Sequence, residues 1–106
     1  MKRMMDVGEI SLLRRLCRRL PNRPDVRVGA GDDCAVVRTG SRDAPDWLLT
    51  SDPVIEGIHF SRGTRMAAVG HKALGRALSD IAAMGGQPLW ALVNVVVPPN
   101  RPARLL

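Results

Sequence analysis

The chain of 106 residues is long enough for one domain, and its 45% hydrophobic and 25% charged residues are the proportions of an ordinary globular protein. The net charge of +6 and the pI near 11.0 favour polyanionic partners without choosing among nucleotides, nucleic acid and anionic membrane. Aromatic residues make up 3%, which argues against a stacking surface for single-stranded nucleic acid. No apolar run reaches the roughly 18 residues of a membrane span, and the N-terminus lacks a signal-peptide pattern. We therefore expect a cytoplasmic protein without a nucleic-acid or membrane partner.

The first predicted element is an amphipathic helix over residues 6–20. Its apolar residues recur at helical spacing and are Ile10, Leu13, Leu16, Cys17 and Leu20. Asp6 is the expected N-cap, and Glu9 three residues later fits a capping box. The C-terminal half carries four arginines, namely Arg14, Arg15, Arg18 and Arg19. They form either a patch for phosphate or nucleic acid or a solvated helix face.

The two cysteines predict no zinc site. Cys17 and Cys34 lie 17 residues apart, without a CxxC pair or a nearby histidine. Cys17 falls on the apolar face of the predicted helix, and Cys34 opens a predicted strand. Both are therefore expected to be reduced core residues.

The middle of the chain predicts a β-hairpin. Residues 25–31 are expected to form a short connection. Short apolar runs at 34–37 and 47–50 predict two strands. The polar, glycine- and proline-containing segment 39–46 between them predicts the hairpin loop.

The second half predicts one long helix and one more strand. An apolar face recurs over residues 66–85, and Gly85, Gly86 and Pro88 form a strong C-terminal stop. The β-branched run 89–97 predicts a buried strand. Together the elements predict an α/β (α+β) fold of two layers, with helices packed on one face of a mixed or antiparallel sheet.

Carboxylates in three short clusters are the main candidates for chemistry. Asp32 and Asp33 follow two glycines, Asp52 follows Thr50 and Ser51 at a strand end, and Asp80 lies in the long helix. Mg²⁺ prefers oxygen ligands and takes only one or two carboxylates when substrate phosphates complete its shell. Carboxylates converging from separate elements therefore suit magnesium–nucleotide chemistry. The alternative is that each acid serves a local turn.

Asp80 and His59 each allow two interpretations. Asp80 lies at the edge of an apolar helix face, where a lone charge is costly to bury, so it is either a metal ligand or the partner of Arg76 one turn earlier. His59 either binds a substrate phosphate or serves as a structural hydrogen-bonding group. No Walker A loop is present, so a nucleotide would be bound through metal ions more than through a lysine-bearing loop.

Four segments, in their order and spacing, resemble the N-terminal domain of the thiamine-monophosphate kinases, in the aminoimidazole-ribonucleotide-synthetase-like superfamily. They are GEISLL at 8–13, GDDCAVV at 31–37, LLTSDPVIEGIHF at 48–60 and VGHKALGRALSDIAAMGGQP at 69–88. The resemblance covers residues 7 to 98. Two departures from the family pattern are Gly86, where Ala is usual, and Ala77, where Asn is common.

The resemblance implies a kinase of thiamine biosynthesis, which transfers a phosphoryl group from ATP to thiamine monophosphate and gives thiamine diphosphate. The implied metal ligands are Asp32, Asp52 and Asp80, with further oxygens from Thr50 and Ser51, and the implied cofactor is Mg²⁺. His59 would contact the thiamine phosphate. No catalytic base is implied, because the acceptor is already an ionised phosphate. In the family the first domain pairs with its copy, sheet edge to sheet edge, so a homodimer is expected.

The resemblance also implies that residues 1–106 are the N-terminal ATP- and magnesium-binding domain, with the family's C-terminal domain absent. Such a fragment is expected to be inactive alone. Two alternatives remain open at this point. The first is a related ATP-using enzyme of the same superfamily with a different acceptor. The second is a non-catalytic module whose basic surface binds nucleic acid or a partner protein.

Overall fold

A computed structural model describes residue 3 and residues 7–102. Within that part of the chain, two helices and three strands follow in the order α1 (Glu9–Cys17), β1 (Val26–Val28), β2 (Ala35–Val37), β3 (Trp47–Leu49) and α2 (Met66–Ala83). The predicted α/β class is confirmed at the level of mixed helix and antiparallel sheet. The packing of both helices over one sheet face stays a prediction.

The described strands form an antiparallel sheet in the order β1-β2-β3. The hairpin predicted between 34–37 and 47–50 is confirmed, because Ala35 pairs with Leu49 and Val37 with Trp47. The prediction of a plain connection over 25–31 is wrong, since Val26–Val28 pairs with β2. This strand of three residues is too short to give a periodic pattern, and its pairing to β2 contains a register shift.

An ion-pair cluster links the three strands. Asp46, just before β3, receives a hydrogen bond from Arg27 of β1, with Nη1 and Oδ2 2.6 Å apart. Its other carboxylate oxygen lies 3.8 Å from Nε of Arg38, the residue after β2. Arg38 Nε and Asp46 Oδ1 are buried and have no hydrogen-bond partner in the described part of the chain. The electrostatic attraction between the two opposite charges therefore compensates for their burial.

The substitution Asp46→Asn is therefore expected to destabilise the sheet. It keeps the side-chain shape but removes the charge that two arginines share, and we expect a loss of about 1 kcal/mol in the free energy of unfolding. Urea denaturation followed by circular dichroism measures it. Asp43→Asn is the matched control from the same loop. An equal loss in both variants would contradict a specific role for Asp46.

Helix α1 is shorter and more exposed than predicted. It spans Glu9–Cys17 and ends in a turn through Leu20, and Gly8 occupies the N-cap position with a φ of 73°. The expected cap, Asp6, lies outside the described residues. Cys17 is free and exposed, so its prediction as a core residue is wrong. Its helix face has the right spacing, yet no other described element covers it; Leu16, for example, is 52% exposed.

Helix α2 closely matches its prediction, with Met66–Ala83 observed against residues 66–85. It ends in a Schellman motif: Gly85 donates to the carbonyl of Ala82, and Gly86 to that of Ile81. Gly85 has a φ of 68°, the left-handed conformation that favours glycine. At Gly86 the neighbouring strand matters instead, because an added Cβ would meet the end of the Leu48 side chain of β3, which would have to shift.

The prediction of a buried strand over 89–97 is wrong for the isolated chain. In the described structure these residues have no strand pairing, and Leu92 and Val96 are 99% and 96% exposed. The segment begins beside the sheet, where the Trp90 ring stacks on Trp47 at a centroid distance of 5.0 Å. Its backbone nevertheless finds no partner strand within the described residues, and an unpaired segment cannot form a ladder.

The described structure has little enclosed core. Cys34, at 2% exposure, is the one hydrophobic residue that counts as fully buried among the described residues. The prediction that Cys34 is a reduced, buried thiol is confirmed. Among the described residues, no helix combines the length and apolar character that crossing a membrane requires.

Candidate phosphate and metal site

Thr50 and Asp80 join the end of β3 to the last third of α2. The Thr50 hydroxyl donates a hydrogen bond to Oδ2 of Asp80 over 2.6 Å, and the pair is partly buried. A short bond of this kind is typical of a hydroxyl donating to an ionised carboxylate. Asp80 is thus bonded to Thr50, and the observed ion-pair partner of Arg76 is Asp52 rather than Asp80.

Asp52 and Arg76 make the second link between the same two elements. Nη2 of Arg76 lies 3.4 Å from Oδ1 of Asp52. Asp52 stands two residues beyond Thr50, and Arg76 stands one helical turn before Asp80. Two contacts thus hold residues 50–52 against α2. In the first, the Thr50 hydroxyl bonds to a carboxylate of the helix, and in the second, the Asp52 carboxylate pairs with a guanidinium of the helix.

The cluster at 31–33 leads directly into the buried thiol of Cys34. Burial raises the pKa of the Cys34 thiol, and the negative charges of Asp80, Asp33 and Asp32 raise it further. The influence of Asp80 on this thiol relates α2 to the end of the loop 31–33. Within the loop, Asp32 Oδ1 accepts a hydrogen bond from the Asp33 amide over 2.9 Å, which is the local turn bond that the sequence allowed.

Cys34 is expected to resist alkylation under native conditions. The thiolate is the reactive form, and both burial and the surrounding carboxylates disfavour it, so we expect labelling at least about tenfold slower than at exposed Cys17. Mass spectrometry after iodoacetamide treatment, with and without urea, measures both rates. Equal native rates would contradict this arrangement, and Cys34→Ser should leave Cys17 labelling unchanged.

The raised pKa also fixes the direction of a pH effect. The folded chain holds the Cys34 proton more tightly than the unfolded chain does. Its contribution to stability is therefore complete below the ordinary thiol value of 9.0 and is lost as the pH rises through the raised value. A melting temperature measured from pH 7 upwards should accordingly fall through this alkaline range.

The donor set of the site fits magnesium in kind. Asp52 and Asp80 supply carboxylates, Thr50 supplies a hydroxyl, and Ser51 is exposed between Thr50 and Asp52. No group of three or more His, Cys, Asp or Glu side chains within residues 7–102 is close enough to hold a metal ion by itself. Two carboxylates suffice for Mg²⁺ when substrate phosphates and water provide the remaining oxygens. The chemistry therefore fits an ion that is bound together with a phosphate ligand.

His59 organises the loop that follows the site. Its Nδ1 accepts a hydrogen bond from the Ile55 amide over 2.9 Å, so the structural interpretation of His59 is observed. With Nδ1 as acceptor, the neutral ring carries its proton on Nε2, which is the donor left for a ligand. Lys72 of α2 also donates to the His59 carbonyl, which ties the loop to the helix.

The partnership of Arg76 with Asp52 is the feature of the site that sequence reasoning missed. The two residues are 24 positions apart, and no local pattern connects them. The signal in the sequence, an arginine one turn before an aspartate on the same helix, indicated Asp80 instead.

Comparison with known proteins adds independent information. Residues 31–106 match the family described as AIR synthase related protein, N-terminal domain. The chain is 36% identical over 95 residues to the thiamine-monophosphate kinase of Escherichia coli (strain K12), covering 89% of this chain and 29% of that protein. For the enzyme of the same name from Aquifex aeolicus the identity is 36% over 96 residues, covering 91% and 29%. For that of Bacillus subtilis it is 34% over 93 residues, covering 87% and 28%.

The chain therefore spans less than a third of the length of the curated relatives it matches. No solved structure matches it significantly.

Proposed function

Because the chain belongs to the AIR synthase related family, we propose that residues 1–106 are the N-terminal ATP- and magnesium-binding domain of a thiamine-monophosphate kinase. One observation carries the proposal. The Thr50–Asp80 hydrogen bond of 2.6 Å brings two separate motifs of the chain together through oxygen atoms alone. The activity named for the relatives suggests the reaction, and the carboxylate and hydroxyl oxygens at this junction support a magnesium ion as the link to its phosphates.

In this proposal the magnesium ligands are Asp32, Thr50, Ser51, Asp52 and Asp80. When bound, Mg²⁺ neutralises charge on the phosphates of ATP and of the acceptor. Asp52 and Asp80 provide the negative charge that retains the cation, while Thr50 orients Asp80 through its hydroxyl. His59 contributes its Nε2–H to the phosphate of thiamine monophosphate, and its ring is held in place through Nδ1.

The reaction needs positioning rather than covalent chemistry by the protein. The bond between the terminal phosphorus of ATP and its bridging oxygen breaks, and a bond forms from that phosphorus to a phosphate oxygen of thiamine monophosphate. The products are ADP and thiamine diphosphate. Since the attacking oxygen is already ionised, no side chain has to remove a proton, and the proposal assigns no catalytic base.

The proposal includes a homodimer in the cytoplasm, with ATP and thiamine monophosphate as the small-molecule partners. The apolar segment 89–97 supports the dimer, because its backbone is unpaired and side chains such as Leu92 and Val96 are exposed to solvent. An exposed apolar edge of this kind is a template for pairing with another strand.

Calorimetric titration of the chain with ATP, in the presence of Mg²⁺ or of EDTA, tests the nucleotide and metal assignment. We expect ATP binding only with Mg²⁺. Titration with thiamine monophosphate, against inorganic phosphate as control, then tests the acceptor. Binding of ATP with Mg²⁺ but equal affinity for both phosphates would favour a related enzyme with a different acceptor. Equal ATP binding in EDTA would contradict the metal assignment.

A further inference from the structure

Arg76 forms its ion pair with Asp52 and not with the nearer residue in sequence, Asp80. On α2 it stands one turn before Asp80, the arrangement that usually gives an intrahelical ion pair. Asp80 is instead occupied by the Thr50 hydroxyl, and Arg76 reaches across to Asp52. Its positive charge is thereby placed on one of the carboxylates that the proposed function assigns to a divalent cation.

The Arg76 contact is loose and leaves donors unused. The distance of 3.4 Å between Nη2 and Asp52 Oδ1 is longer than the roughly 2.7–2.9 Å of a strong charge-assisted bond. Nε of Arg76 is buried and has no hydrogen-bond partner in the described part of the chain. A buried donor without a partner is costly, which indicates that this guanidinium is not satisfied by its present surroundings. The side chain as a whole is 39% exposed, so part of it is in contact with solvent.

We propose that Arg76 is both the internal counter-ion of Asp52 and a phosphate-binding residue. Without a divalent cation, the guanidinium neutralises Asp52. When a cation binds Asp52, repulsion between the two positive charges releases Arg76, and its N–H donors bind a phosphate oxygen of the nucleotide. Guanidinium suits this role because its planar donors match phosphate geometry. The inference rests on the proposed function and adds a residue to the same site.

The proposal predicts opposite effects on two ligands. Arg76→Met keeps most of the side-chain length but removes the charge. Without nucleotide, it should bind Mn²⁺ about threefold to tenfold more tightly than the unaltered chain, because Asp52 loses its competing cation. At saturating Mg²⁺, it should bind ATP about tenfold more weakly, because the phosphate loses its guanidinium. Arg76→Lys keeps the charge and should bind Mn²⁺ as the unaltered chain does, with ATP affinity between the other two.

Electron paramagnetic resonance measures free Mn²⁺, and calorimetry with ATP measures the nucleotide. Asp80→Asn serves as the reference variant. If Asp80→Asn loses Mn²⁺ and ATP while Arg76→Met changes neither, the inference about Arg76 is wrong and the proposed function stands. If Asp80→Asn binds both ligands normally, the proposed function itself fails, and the inference fails with it. Weaker binding of both ligands by Arg76→Met would show a structural role and would also overturn the inference. If Arg76→Met lowers the melting temperature, Arg76→Lys is the deciding variant. An intermediate ATP affinity with unchanged Mn²⁺ affinity supports the inference, and any other result for Arg76→Lys overturns it.

Discussion

Replacing Asp80 with Asn is expected to abolish magnesium-dependent nucleotide binding while leaving the fold intact. The amide oxygen of Asn can still accept the hydrogen bond from Thr50, so the link between β3 and α2 is kept. What disappears is the negative charge that retains a cation beside the phosphates. Outer-shell partners of metal ligands alone account for about 10- to 100-fold in affinity, so we expect a loss of about 100-fold or more for a ligand itself.

Calorimetry with ATP and Mg²⁺ measures this loss, and thermal melting checks that stability changes by no more than about 1 kcal/mol. Asp33→Asn is the matched control, because Asp33 also lies near Cys34 but is not among the assigned ligands. A variant Asp80→Asn with unchanged ATP affinity would exclude Asp80 from the site. Equal losses in both variants would indicate a general effect of negative charge rather than metal ligation.

Converting the exposed face of the segment 89–97 to lysine is expected to turn a dimer into a monomer. Leu92 and Val96 are the most exposed apolar residues of the segment, and they are separated by an even number of positions. In an extended strand they would therefore share one face. The double substitution Leu92→Lys/Val96→Lys places two charges where a second copy would pack, and burying unpaired charges is strongly unfavourable. The folded monomer should be little affected, because both side chains already lie in solvent.

Sedimentation velocity across a range of concentrations measures the change. We expect the dimer dissociation constant to rise by about 100-fold or more. The double variant Gln87→Lys/Asn100→Lys adds the same two charges just outside the apolar run and should remain dimeric. A chain that is monomeric before any substitution would contradict the expected homodimer, whereas a dimer that survives Leu92→Lys/Val96→Lys would place its interface elsewhere.

The sequence predicted best those elements whose local signals agree with each other. Helix α2 combines a long apolar periodicity with two glycines and a proline at its end, and its boundaries are correct to within two residues. The hairpin has two apolar runs around a polar loop. In contrast, β1 is stabilised by pairing with β2 and by the Arg27–Asp46 contact, which are both non-local. No pattern of three residues contains that information.

The segment 89–97 illustrates a different limit. Its β-branched composition indicates a strand that prefers burial, but composition does not say which neighbour provides the hydrogen bonds. Within the described residues no neighbour does. The same limit applies to α1, whose apolar face has the predicted spacing and remains exposed.

The candidate site was predictable as a set of residue types but not as a set of contacts. Oxygen-bearing residues after β3 and on α2 were recognisable, and Thr50 does meet Asp80. Whether Asp52 faces a cation, water or a guanidinium depends on how the loop after β3 folds over α2. Only the structure identifies Arg76 as its neighbour.

The junction between Gly86 and Leu48 has a consequence for how this sequence varies. An alanine methyl group at position 86 would overlap the end of the Leu48 side chain. Alanine at position 86 and leucine at position 48 are compatible only if Leu48 adopts a different rotamer. A substitution at either position therefore changes which side chains the other position accommodates. Because Leu48 lies two residues before Thr50, and Gly86 six after Asp80, this pair of positions constrains the site without contributing any polar atom to it.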